Sequence, residues 1–302
     1  MYGPKWFNNL DANGNVLQNE RLTDLIIALM VSENKLGPMI HGLFEHGQIQ
    51  EFIEHRQFRV PEQNDPQLSA ELFKKLARVQ AMDVPIKRTN NWLFEYLNSS
   101  YDKAVKCGSF DLCEELKCET LNARYLQTEN QWIIKTIESI GSPIVFSHND
   151  FRGNNIMITK NKQNNTESIV LCDFEYSCYT YRGFDLGTIF AEWGRGLNDF
   201  AKQHDFPEDS VVETLIQHYI DESVAIFGPK YAENKLNSTQ QLVKEVKLFT
   251  LAAYLFMIML IIQDHEGEDG LPMDKKLMIG FAEICFKNYM HLKKQFLAQQ
   301  AF

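Results

Sequence analysis

The sequence predicts an α+β fold in which a small strand-bearing region precedes a large, mainly helical one. Three observations lead there. Ile144-Val145-Phe146, Ile156-Met157-Ile158-Thr159 and Ser168-Ile169-Val170-Leu171-Cys172 are short apolar runs with the length of buried strands. Amphipathic stretches over 67–80, 122–140 and 211–227 carry the helical period. The greasiest run, Leu251 to Ile262, is shorter than the ~20 apolar residues that span a bilayer, so a buried helix is expected and no transmembrane segment.

Taken in chain order, Asp11-Ala12-Asn13-Gly14-Asn15 reads as a turn and Asn19 to Asn34 as one helix. The stretch from His41 to Ile53 reads as a hairpin with Glu45-His46-Gly47-Gln48 at its turn. A boundary is expected near Glu54-His55-Arg56, dividing the chain into 1–56 and 57–302. Ser69 and Ser142 are candidate helix starts or loop residues, and Pro143 should end the helix before the strand at 144. Lys160 to Glu167 is polar and turn-rich, as a hairpin connection should be. The three strands are expected in one small sheet, with Asp150 and Asp173 at one end of it. No internal repeat interrupts this plan.

The 302 residues, 44% of them hydrophobic, suffice for a substantial core in one large or two ordinary domains. A formal net charge of −10 argues against a nucleic-acid surface and suits a cationic small substrate. Cys107, Cys113 and Cys118 cluster without the paired spacing of a zinc site, so reduced thiols and a cytoplasmic setting are expected. Met1-Tyr2-Gly3-Pro4-Lys5 is followed by polar and turn residues, which does not read as a signal peptide.

The chemistry concentrates in His148-Asn149-Asp150-Phe151-Arg152-Gly153-Asn154-Asn155 and in Asp173-Phe174-Glu175. Transfer of a γ-phosphoryl group needs a base to orient and deprotonate a hydroxyl, and a divalent cation to neutralise phosphate charge. Asp150 can accept the hydroxyl proton. Asn155 and Asp173 offer the few hard protein oxygens that Mg²⁺ takes beside phosphate and water. The D-x-x-x-x-N spacing followed by Asp-Phe echoes the catalytic and metal loops of protein kinases, although Glu175 stands where those enzymes have glycine. Each residue alone could be an ordinary turn former that bonds its own backbone. Together, in this order and strand context, they form a far more specific signal.

These two blocks, with the continuation Tyr176-Ser177-Cys178-Tyr179-Thr180-Tyr181-Arg182-Gly183-Phe184-Asp185-Leu186-Gly187 and Glu192-Trp193, closely resemble the choline and ethanolamine kinases. Fainter similarity runs from Leu36-Gly37-Pro38 through Gln50-Glu51-Phe52-Ile53 to Gln263. The resemblance implies a bilobal protein-kinase-like fold that transfers phosphate from ATP, with Mg²⁺, to the hydroxyl of an amino alcohol such as choline or ethanolamine, feeding phospholipid head-group synthesis. By it Asp150 is the base, Asn155 and Asp173 are the magnesium ligands, and the backbone near Glu51 and Ile53 meets adenine. His148 and Asp185 support the catalytic loop. Tyr176, Glu192, Phe256 and Met259 lie at the substrate, where a carboxylate and aromatic faces stabilise an ammonium ion. Tyr179 and Tyr181 read equally well as core-edge residues with a wet hydroxyl. Partners are the amino alcohol and ATP, and a homodimer is compatible with the reading.

The chain departs from the family pattern in two places. Positions 1–56 read as a truncated remnant of the strand-rich small lobe, without a glycine-rich phosphate loop. In the pocket, Phe256 and Met259 stand where the family carries two tryptophans, Leu197 and Lys275 where it has tyrosines, and Arg152 where it has glutamine. Cation–π attraction is worth about 0.5–2 kcal/mol per favourable ring, so these changes make other amino alcohols or primary amines credible acceptors. The alternatives are an impaired pseudokinase or shortened isoform acting as a binding partner, and an aminoglycoside-type phosphotransferase, against which Tyr181 to Asp185 and Glu192-Trp193 weigh.

Overall fold

The computed structural model describes residues 19–44, 47–88, 92–160, 165–196, 199, 201–263 and 274–302. Within them the fold is bilobal α+β, a small strand region beside a large helical lobe. The first helix, α1 (Asn19–Glu33), leads to the antiparallel hairpin of β1 (Ile40–Phe44) and β2 (Gly47–Gln50). Gly47 and Gln48 thus belong to a strand rather than to the expected turn; Glu45 and His46, like Asp11 to Asn15, lie outside the described residues.

The three predicted strands form, but in two ladders. β4 (Ile144–Ser147) pairs with β7 (Cys178–Tyr181), whereas β5 (Ile156–Lys160) pairs with β6 (Glu167–Leu171). The outer partner of β5 is β3 (Arg56–Gln57), the segment just after the hairpin. That junction is held by side chains too. Arg56 makes a two-pronged bond to Glu167, at 2.7 and 2.8 Å, the fork-to-fork geometry of guanidinium and carboxylate. The Leu171 amide donates to the Leu36 carbonyl at 2.8 Å and ties β6 to the segment after α1.

Helix starts follow local chemistry. After the short α2 (Val60–Gln63), α3 (Pro66–Gln80) is capped by Asp65, whose carboxylate accepts from the Gln67 and Leu68 amides, with Pro66 in the first turn. Ser69 is therefore inside α3, not at its start. The helices α4 (Trp92–Lys106) and α5 (Ser109–Glu115) follow. Asn122 caps α6 (Ala123–Ile140), which ends at Gly141 in the left-handed region, φ 69°, before Pro143 is reached. Its end is a glycine cap, so Pro143 is not the breaker. The Ser142 hydroxyl instead donates to Glu245 at 2.9 Å.

The remaining helices are α7 (Gly183–Glu192), α8 (Asp209–Phe227), α9 (Lys230–Glu233), α10 (Thr239–Ile262) and α11 (Lys275–Ala298). The run from Leu251 belongs to a longer element than expected. At 24 residues, with an 18-residue window of mean hydropathy 2.0, α10 is long and apolar enough to cross a membrane, yet 78% of that window is buried. Packed against α4, α6, α7, α8 and α11, it is the centre of the helical core.

Two glycines set the distance between α7 and α10. A Cβ on Gly183 would fall 2.1 Å from the Phe249 ring, and one on Gly187 would fall 2.1 Å from the Phe249 backbone carbon. Alanine favours an isolated helix over glycine by about 1 kcal/mol, so propensity alone would make Gly187→Ala stabilising. The clash reverses the sign: G187A should lower the melting temperature by roughly 5–10 °C in calorimetry, and an unchanged or higher value would refute the close contact.

Candidate active site

The loop between β4 and β5 is held from below by Asp185 in the first turn of α7. This residue is fully buried, and its carboxylate accepts from the His148 amide at 3.0 Å, the Asn149 amide at 2.7 Å and the Gln80 side-chain amide at 3.1 Å. Burial pushes its pKa up, and these donors oppose that by stabilising the charged form. Asn149 turns the chain at φ 65°, a conformation that asparagine tolerates, and its side chain donates to the Tyr176 carbonyl at 2.8 Å. The Ser177 hydroxyl returns a bond to the His148 carbonyl at 3.2 Å.

His148 joins this loop to the segment at Cys172 and Phe174. Its Nε2 lies 2.9 Å from the Cys172 carbonyl, which can only accept, and its Nδ1 lies 3.3 Å from the Asp150 amide, which can only donate. The geometry fits the tautomer protonated at Nε2. The ring also packs on Phe174 with centroids 4.4 Å apart. Asp150 and Asp173, each next to a backbone group that His148 grips, are thereby fixed relative to one another.

Asn155 completes the loop. Its Nδ2 donates to the Asp150 carbonyl at 3.0 Å and to Asp150 Oδ2 at 2.6 Å, which leaves Oδ1 as the oxygen open to a cation. The Cys172 amide donates to the Asn155 carbonyl at 3.0 Å, so Asn155 and Asp173 are brought to one place from two strands. Asp173 is held at φ 64°, ψ 58°, a left-handed conformation that costs roughly 1–3 kcal/mol and occurs where surrounding structure enforces it. Partial burial and the Asp150 charge push its carboxyl up, the signature of acidic groups gathered where a cation would relieve them. No group of three His, Cys, Asp or Glu side chains that could hold a metal occurs among the described residues. The fitting donor set is therefore sparse: one carboxamide oxygen and one carboxylate, as suits Mg²⁺ shared with phosphate and water.

Beyond Asp150 the loop is tightly fitted. A Cβ on Gly153 would lie 2.4 Å from the Phe58 carbonyl oxygen, and the Gly153 amide donates to Glu192 Oε2 at 3.1 Å. Glu192 sits under the loop, and burial raises its pKa. Arg152 Nε is 2.9 Å from Asp150 Oδ1.

The other expected site residues are distributed less simply. Phe256 stacks on Tyr96 at 4.4 Å and lies 5.7 Å from Trp92 and 5.5 Å from Phe184. Burial, followed by the charges of Tyr96, Glu175, Asp150 and Asp173, pushes the Tyr176 hydroxyl up. Met259, one turn on from Phe256, is 0% exposed and belongs to the core, with no surface to offer a ligand. Tyr179 is a core residue whose hydroxyl accepts from the Val84 amide at 2.9 Å and donates to the Val84 carbonyl at 3.0 Å. Tyr181 packs on Phe94 and Phe249. Lys275 is exposed at the start of α11, and Leu197 lies outside the described residues.

At the segment after β2, the Glu51 amide donates to the Met39 carbonyl at 2.8 Å, and the Ile53 carbonyl lies 2.8 Å from His55 Nδ1. Among the described hydrogen bonds the Glu51 carbonyl and the Ile53 amide take none, an acceptor and a donor two residues apart. Sequence reasoning missed Gln80, Phe58, Trp92 and Tyr96. Gln80 ends an amphipathic helix and nothing local marks it; Trp92 and Tyr96 are spaced four apart on α4, a signal of a helix face but not of its destination.

A family model described as choline/ethanolamine kinase matches residues 13–291. A human choline/ethanolamine kinase is 29% identical over 255 residues, covering 80% of this chain and 62% of that protein, so the chain spans less than two thirds of the relative's length. Among solved structures, an ethanolamine kinase of Plasmodium vivax is similar with a TM-score of 0.67 and 19% identity, covering 90% of this chain and 72% of that one. A choline kinase of Cryptosporidium parvum gives 0.61 and 18%, covering 93% and 80%. At such identities the structural likeness speaks for the fold.

Glu192 gives a pH test of the site. A carboxyl whose folded pKa is raised binds more protons folded than unfolded, so its contribution to stability falls as pH rises from the ordinary 4.5 through the folded value. Glu192→Gln keeps an oxygen for the Gly153 amide and removes that charge. Its melting temperature should gain on the wild type progressively as pH rises above about 4.5; a difference that stays flat, or that turns against the variant as pH rises, would contradict the raised pKa.

Proposed function

The chain belongs to the choline/ethanolamine kinase family, and from that membership we propose that it phosphorylates the hydroxyl of a small amino alcohol at the expense of ATP. The observation that carries the reading is the Asp150 carboxylate, pinned by Asn155 at 2.6 Å on a loop whose amides end on Asp185. A base held so firmly needs no reorganisation when the hydroxyl arrives. The Glu51 carbonyl and Ile53 amide suit the edge of adenine. Asn155 Oδ1 and Asp173 would hold Mg²⁺, which when bound neutralises phosphate charge.

For the acceptor, the carboxylates of Asp150, Asp173 and Glu192 favour an ammonium group, and the charges of Asp150, Asp173 and Tyr96 all act on Tyr176. The 4.4 Å stack of Phe256 on Tyr96 leaves ring faces turned to one another rather than to a ligand. Fewer faces remain for a trimethylammonium group, which draws its affinity from them, than for a primary ammonium, which can donate hydrogen bonds. Ethanolamine and related primary amines are thus the favoured class, with choline second.

A coupled ATP assay across amino alcohols tests the reading. Ethanolamine should exceed choline in kcat/KM, and Asp150→Asn should lower kcat by roughly a hundredfold or more with an unchanged melting temperature. Full activity of D150N would remove Asp150 from the reaction. Nucleotide binding without turnover on any acceptor would instead assign the chain a binding role. Asp173→Asn should raise the magnesium concentration needed for half-maximal rate at least several-fold; unchanged metal dependence would count against its ligand role.

A further inference from the structure

Arg152 is an ion-pair partner of the proposed base, and its geometry there gives it no settled task. Its Nε lies 2.9 Å from Asp150 Oδ1, yet the buried Nε is not aligned for a hydrogen bond there. Nor do its two terminal nitrogens make a hydrogen bond among the described residues. The charges of Glu192 and Asp173 also act on it, beside that of Asp150. The side chain is 41% exposed, which leaves it room to move within the cleft.

A guanidinium in that position matches the group that must enter. On the phosphotransfer reading, the γ-phosphoryl has to lie between the hydroxyl at Asp150 and the oxygens of Asn155 and Asp173, within reach of a side chain already touching Asp150. Phosphate oxygens accept from an arginine fork in two-pronged fashion and bind it more favourably than one misaligned carboxylate oxygen does. We propose that Arg152 is a γ-phosphoryl ligand that trades its contact with Asp150 Oδ1 for the terminal phosphate of the bound nucleotide. The exchange does two things. It supplies positive charge where negative charge is spread over the transferring group, and it uncovers Oδ1 only once the phosphate is in place. The acceptor oxygen then bonds to the γ-phosphorus as the bond to the β–γ bridging oxygen breaks, the electron pair leaves with ADP, and the hydroxyl proton passes to Asp150.

This role rests on the phosphotransfer reading but is separable from it by binding alone. Wild type, Arg152→Gln and Arg152→Lys are titrated calorimetrically, in magnesium, with ADP and with the non-hydrolysable β,γ-imido analogue of ATP. R152Q should lose about tenfold in affinity for the triphosphate analogue and less than about twofold for ADP, with R152K in between. Equal losses for both nucleotides, or none for either, would overturn the assignment and leave Arg152 a charge-balancing partner of Asp150. Absence of nucleotide binding by the wild type would overturn the phosphotransfer reading and the Arg152 role with it. Melting temperatures of the two variants establish that they are folded.

Discussion

A single buried carboxylate sets the geometry of this molecule's centre. The amides of His148 and Asn149 sit in a buried loop that belongs to no ladder, and buried amides left unpaired cost about 1–3 kcal/mol each. Asp185 satisfies both, and Gln80 satisfies Asp185 in turn. Because Asp185 lies in the first turn of α7, its charge also faces the positive end of that helix. The loop, the helix and the end of α3 are therefore fixed as one unit, and the groups at Asp150 and Asn155 inherit their positions from it.

A second layer of connection runs through backbone atoms. His148 spans from the Asp150 amide to the Cys172 carbonyl, and the Cys172 amide spans to the Asn155 carbonyl. Two segments separated by a hairpin are thus stitched on both sides of residue 172. Asp173 is left to follow in a backbone conformation it would not choose alone, with its carboxyl pushed up by burial and by the charge of Asp150. In a chain of formal charge −10, repulsion concentrated at one cleft is an unspent source of affinity for cations.

What the sequence revealed followed physical range. Strands and the long helices were legible because each is written in a local pattern, apolar runs of strand length and helical periods, and the acids at fixed spacing marked the loops that the structure brings together at Asp150, Asn155 and Asp173. The pairing of those strands was not, since β4 finds β7 and β5 finds β3 through partners far along the chain. Helix ends were misjudged at Ser69 and Pro143 because Asp65 and Gly141 offered stronger caps nearby. Met259, expected at the substrate, lies buried in the core. Trp92 and Tyr96 could not be placed by any pattern, because their meeting with Phe256 depends on how α4 docks on α10.

The two glycines of α7 differ in what they face, and that difference sets how freely each position can drift. Gly183 opposes the ring of Phe249, so a smaller side chain at 249 could make room for a larger one at 183, and the two positions can change in concert. Gly187 opposes the main chain of the same residue. No replacement on α10 alters a main-chain atom, so position 187 has no partner with which to co-vary and should stay glycine across descendants of this chain while 183 and 249 exchange volume.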